Sequence, residues 1–284
     1  MSNTQFPRLD GDDFAATRDA MHAYARVLGD CLKACRSKRK HWWHASLRPS
    51  LNGLGTGIVR ATTDFEFELD FRRAELHART SNDNGFDVEL NGQSAGEIAQ
   101  AISDFMSTNG VGDSQLEQFA KVDRGSVGWQ DISTSHAASM GQVLRSVATV
   151  METFRADVRE ETSPIQLWPH HFDLSMIWLP GDKIPGQDPM DEEYSDKQMN
   201  FGFAFGDESN PEPYFYVTAY PMPDAMTATR LPAGSEWRTD GFSGAVLTYR
   251  SLRDTSDPSG YLQDFWTRLL AAGQQHMLEK HIQD

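Results

Sequence analysis

Cysteine is nearly missing from this chain: only Cys31 and Cys35 occur in 284 residues. They stand one helical turn apart and not at Cys-x-x-Cys spacing, which excludes a disulfide framework and argues against a redox dithiol; both read as small apolar residues of a helix. Long hydrophobic runs are absent too. No window approaches the roughly 18 apolar residues of a membrane span, and the opening MSNTQFPRLDGDD has neither the basic nor the apolar stretch of an export signal. A cytoplasmic protein with no membrane partner is expected. Positive charge is also short: 26 Lys and Arg face 41 Asp and Glu, a net charge of -15. Such a surface repels phosphate backbones, so no nucleic-acid partner is expected. The one basic run, RSKRKH from Arg36 to His41, reads as a helix C-terminus, where cations offset the negative end of the helix dipole.

The usual catalytic signatures are missing as well. There is no Gly-x-x-x-x-Gly-Lys-Ser/Thr, no Gly-x-Gly-x-x-Gly opening a helix, no His-Glu-x-x-His and no Gly-x-Ser-x-Gly. Nucleotide-driven and serine-hydrolase chemistry thereby lose their ordinary markers.

What is present is a clear alternation of helical and strand periodicity. Asp12 or Asp13 can cap a helix carrying Phe14, Thr17, Met21, Tyr24, Leu28, Leu32 and Cys35, running to about Lys38. HWWHASLRP then reads as a strand. In DFEFELDF, Phe65, Phe67, Leu69 and Phe71 fall on one face and Glu66, Glu68 and Asp70 on the other, the pattern of an antiparallel strand wetted on one side. AELHART and FDVELN, joined by SNDNG, form a hairpin. SAGE, Ser94 to Glu97, has the spacing of a capping box and opens a helix with Ile98, Ile102, Phe105 and Met106. Polar, weakly patterned residues from about 110 to 129 read as a connection. A second long helix spans roughly Ser135 to Arg159. Strands are expected at Ile165–Leu179, Asn200–Gly206, Pro213–Tyr220 and Phe242–Tyr249, and Asp257 with Pro258 opens the last helix.

Both halves therefore read helix, four strands, helix. The expected fold is α+β, with antiparallel sheets, packed helices and two pseudo-repeated halves, residues 1–112 and 113–284, in one compact unit.

Four segments carry a resemblance. SPIQLWPHHFDLSMIW, DKQMNFGFAFGD and PEPYFYVTAYPMP, together with HWWHASL, are similar to a bacterial family catalogued as domain of unknown function 5996, over most of the chain. The family name brings no activity, so no catalytic residues carry over. The resemblance also implies that some relatives place a His where Gln166 stands and lack the pair at 170 and 171. A metal site built on that pair would then not be common to them.

Strand parity sorts the polar residues of these segments. His170 would share the core face with Phe172, Leu174, Met176 and Trp178, whereas His171, Asp173 and Ser175 would share the other. In HWWHASLR, His41 would face the core, and Trp42, His44, Ser46 and Arg48 the second face. His171 and Asp173, joined by His44 from a neighbouring strand, would make a two-His-one-carboxylate set suited to a divalent metal such as iron or zinc. The plainer reading is a structural His/Asp hydrogen bond on a half-buried sheet.

The aromatic series Trp42, Trp43, Trp168, Phe201, Phe203, Phe205, Tyr214, Phe215, Tyr216 and Tyr220 is first a core, since strands favour aromatic residues. It also offers apolar walls for a ligand, with Tyr216, Gln198 and His171 as polar groups. The leading expectation is a protein that binds a small molecule in an aromatic-lined pocket, through Trp42, His44, Trp168, His171, Asp173, Gln198 and Tyr216. The alternatives are a metal-dependent hydrolase or oxygenase using His44, His171 and Asp173, and a partner-binding or oligomerisation domain presenting Trp42, Ile177 and Leu179. The sequence leaves the oligomeric state open.

Overall fold

The computed structural model of the chain describes residues 5–191, 193–207 and 210–278. Its backbone divides into two compact units, one of residues 1–146 with 166–172, the other of residues 147–165 with 173–284. Residues 113–146, placed with the second half by sequence, belong to the first unit. The fold is α+β, with two antiparallel sheets.

In the first unit, helix α1 (Asp12–Cys35) leads into a 3-10 turn at Lys40–Ala45 and then a meander of five strands: β1 (Arg48–Pro49), β2 (Gly53–Gly55), β3 (Phe65–Asp70), β4 (Glu75–Thr80) and β5 (Gly85–Glu89). The alternation in DFEFELDF acts as expected except at Asp70, which is buried. Phe65, Phe67 and Leu69 are buried, and Phe65 and Phe67 meet Phe105 of helix α2 (Ala95–Thr108) at ring distances of 5.8 and 5.5 Å. The Ser94–Glu97 capping box forms in both directions, Glu97 N to Ser94 Oγ at 3.1 Å and Ser94 N to Glu97 Oε2 at 2.8 Å. Helix α1 starts differently: its cap is Gly11, with no side-chain cap bond.

Three local expectations fail in this unit. HWWH is not a strand, because His41 and Trp42 take left-handed φ values of 50° and 58°, which coils the segment into the 3-10 turn. The segment read as a plain connection holds a short helix, α3 (Asp113–Ala120), anchored by the single buried Phe119. Between α1 and α2 there are five strands, not four.

Helix α4 (Thr134–Ala156) carries the chain on to β6 (Glu161–Thr162) and β7 (Gln166–Trp168), the latter bridged to Leu47 within the first unit. The second unit then builds on β8 (Asp173–Leu179), β9 (Gln198–Ala204), β10 (Tyr214–Tyr220), β11 (Ser235–Arg238) and β12 (Gly244–Thr248), in the order β11-β12-β10-β9-β8-β6. A short α5 (Tyr249–Arg253) precedes α6 (Pro258–Met277), which opens on the expected Asp257 cap and first-turn proline. One face of the sheet packs on helices: Phe154 lies 5.1 Å from Phe201 and 5.6 Å from Trp266, and Phe215 lies 6.3 Å from Trp266. Rings in edge and tilted contact at these separations fill a core. Among the described residues no helix is long and apolar enough to cross a membrane.

Candidate functional site

The run SPIQLWPHHFDLSMIWLP is not one strand. It is β7, a turn at Pro169–Phe172, and β8 starting at Asp173. Phe172 takes φ 58°, which breaks the alternation on which the parity reading depends. His170, expected on the core face, is exposed, and His171 is exposed beside it with the two rings 4.3 Å apart. His41 and His44, expected on opposite faces of a strand, are both buried in the 3-10 turn. His44 Nδ1 accepts from the Arg39 backbone N–H at 3.2 Å, and its ring stacks 5.6 Å from the exposed Trp42, over which Lys38 Nζ sits at 5.6 Å. Among the described residues no group of three or more His, Cys, Asp or Glu is placed to hold a metal ion. Trp168 is buried, and Gln198 is tied to the adjoining loop through Nε2 to Glu193 O at 3.0 Å.

Asp173 and Ser175, by contrast, point where parity places them. Register puts Ser175 and Tyr216 on either side of Gly202, and the Tyr216 ring crosses that glycine to donate its hydroxyl to Asp173 Oδ2. Asp173 is buried. Burial first, and then the Asp173 charge, push the Tyr216 phenol well above its ordinary pKa. Around it, Tyr214 is 6.2 Å and Phe242 6.3 Å away by ring centroids.

The first unit carries a second arrangement, on the wet face of its sheet. A cleft of about 240 Å³ is lined by Asn52, Glu66, Glu68, Asp70, Arg73, His77 and Arg79. The β3–β4 register explains it, since Glu66 faces Arg79, Glu68 faces His77 and Asp70 faces Glu75. At its centre His77, 9% exposed, has Nδ1 2.6 Å from Asp87 Oδ1 and Nε2 3.6 Å from Asp70 and 3.5 Å from Glu75. Arg79 Nη1 reaches the same Asp87 oxygen at 2.7 Å. Hydrogen bonds from Arg79 and then His77 hold the Asp87 carboxyl below the ordinary range. Ser50 Oγ donates to Glu68 at 2.6 Å. Glu66 and the Arg73 guanidinium have no ion-pair partner among the described residues.

The family model described as Family of unknown function (DUF5996) matches residues 6–278. The chain belongs to the DUF5996 family. No curated protein and no solved structure matches it. Both arrangements lie inside the stretch that defines this DUF5996 chain, and membership by itself assigns a role to neither.

Sequence reasoning took Asp173 and Tyr216 as polar groups of one site and missed the cleft altogether. The signal for the cleft was nevertheless there. Once DFEFELDF and AELHART are paired through the FRRA turn, Glu66 falls opposite Arg79, Glu68 opposite His77 and Asp70 opposite Glu75, so that His77 lies among carboxylates. Reading the strands singly makes the same residues look like an ordinary solvated face.

Proposed function

We propose that this protein binds a small polar molecule carrying both a cationic and an acidic group, held in the cleft on the five-stranded sheet. The observation that carries the reading is the cleft's uncompensated charge: Glu66 on β3 and Arg73 in the β3–β4 turn line one cavity and have no ion-pair partner among the described residues. The strand rise separates Glu66 from Asp70, whose carboxylate accepts the Arg73 backbone N–H, by about 13 Å. An extended zwitterion would satisfy both ends. The 240 Å³ volume lies just below the roughly 300–1,000 Å³ of typical ligand pockets, which suits a metabolite-sized molecule. His77, with Nδ1 on Asp87, presents its ring to the middle of such a ligand.

The test is a calorimetric titration with free amino acids, short dipeptides, simple monoamines and dicarboxylates. The reading requires saturable binding of a zwitterion, weakened by Glu66→Gln and by Arg73→Gln separately. Binding unchanged by both substitutions, or no binding across the panel, would refute it.

The aromatic-lined reading keeps one supporting observation. Tyr214 and Tyr216 are half-buried and Phe242 is exposed, on the strand face from which Tyr216 reaches Asp173. An apolar ligand with one hydrogen-bonding group would suit that face, and quenching of tyrosine emission by such a ligand, lost in Tyr216→Phe, would favour it. The partner-binding reading loses part of its motive, because Ile177 and Leu179 are already buried within the chain and only Trp42 of the three is exposed.

A further inference from the structure

Where the Pro169–Phe172 turn lies on α1, five side chains able to carry positive charge come together in a protein of net charge -15. On α1, His22, Arg26, Gly29 and Lys33 recur at intervals of four, three and four residues, which puts them on one helix face. Gly29 is the seat of the turn: a Cβ there would stand 2.8 Å from the Pro169 ring. His22 Nε2 lies 2.9 Å from Pro169 O, and its ring stacks on Phe172 at 5.0 Å and 11°. The docked turn then projects His170 and His171, rings 4.3 Å apart, beside that helix face. Phe172 holds this shape in the left-handed region, a conformation that non-glycine residues keep mainly where the surroundings impose it.

The neighbouring acids are spoken for. Asp30 meets both Lys33 at 3.5 Å and Arg124 at 3.4 Å, and Asp19 meets Arg18 at 2.8 Å. Arg26, His170 and His171 have no ion-pair partner among the described residues. The surroundings of His170 are felt in its titration. Although part of the ring reaches solvent, the crowded side of it loses hydration. That loss, followed by the charges of His171, Lys33, His22 and Arg26, brings its pKa down to about 4. His22 is lowered too, by burial first, with Arg26 lowering it further and Asp19 opposing.

We propose that this patch binds a small phosphate-bearing anion. Arg26 offers paired N–H donors, Lys33 a point charge and His170 and His171 ring N–H groups, a set that matches a tetrahedral oxyanion. The same Arg26 and Lys33 disfavour a metal cation on the imidazoles. The overall negative charge of the chain keeps extended polyanions away, so the ligand is a small one. A bound dianion raises the affinity of the imidazoles for protons.

The test uses the full chain and inorganic phosphate, followed through the histidine ring resonances at constant ionic strength at about pH 8, where phosphate is mostly the dianion. Saturable movement of three of the nine histidine signals is expected, those of His22, His170 and His171. Arg26→Ala should weaken binding about tenfold or more, while Arg60→Ala, an exposed arginine of the same unit outside the patch, should not. The His77 and His136 signals report whether a variant is folded, and Lys33→Gln serves if Arg26→Ala is not. Equal movement with chloride alone, or wild-type binding by a folded Arg26→Ala or Lys33→Gln variant, overturns the proposal.

Discussion

Tyr216 lies across Gly202 to reach Asp173, so that a hydroxyl on β10 meets a carboxylate on β8 over the strand between them. A Cβ at 202 would stand 2.3 Å from the Tyr216 ring carbon Cζ, so the glycine is a requirement of that contact and not a weakness of the strand. Gly202→Ala should cost about 1–3 kcal/mol of stability, as overpacking does, measured by urea denaturation. The contrast is Gly273→Ala on α6, where the new Cβ would meet the flexible Met199 Sδ. That change should stay within about 1 kcal/mol, because a thioether re-packs easily and alanine favours helix.

Tyr216→Phe removes the hydroxyl that Asp173 accepts from and leaves the carboxylate in a buried place. A loss of about 1–3 kcal/mol is expected. In Asp173→Asn the Tyr216 phenol should ionise at lower pH than in the wild type, since the opposing charge is gone while the burial remains. Absorbance of the tyrosinate followed against pH reads this directly, and an unchanged titration would show that Asp173 does not act on Tyr216.

His170 supplies a pH prediction with a definite sign. Its folded pKa of about 4 lies below the ordinary 6.5, so the unfolded chain binds this proton more readily than the folded one. The stability associated with the neutral ring is complete above 6.5 and is lost as pH falls from there toward about 4. His22 adds to the loss in the same direction. The melting temperature of His170→Gln should therefore fall less between about pH 7 and about pH 5 than that of the wild type.

Ser94→Ala should cost about 1 kcal/mol, the usual value for a cap residue, because it removes the acceptor for Glu97 N–H and one half of the reciprocal box. Ser94→Thr should recover most of that loss in the same melting experiment.

Much of the fold could be read from local pattern. The alternation in DFEFELDF named the buried residues Phe65, Phe67 and Leu69 and the wet residues Glu66 and Glu68 of β3, because period two is a property of the strand itself, but it missed the burial of Asp70 at the strand end. The Ser94 box and the Asp257–Pro258 opening were legible for a similar reason: each is completed within one turn of the chain. The failures share a cause. HWWH and PHHF look like strand in composition, yet His41, Trp42 and Phe172 adopt left-handed backbone, a choice imposed by packing and not by propensity. Gly29 taking Pro169 onto α1 is such an imposition, and its partners are 140 residues apart in the chain.

The sequence by itself determined the α+β class, the alternation of β3 and the family, since each depends on residues close in the chain or on short motifs. Which polar groups meet was decided only by tertiary structure. Asp173 finds Tyr216 because two strand registers align over a glycine. His77 finds Asp70, Glu75 and Asp87 because two hairpins fold onto one sheet. His170 leaves the core because one residue before Asp173 turns left-handed. Each of these depends on register or on a single dihedral angle, and neither is written in the spacing of residues along the chain.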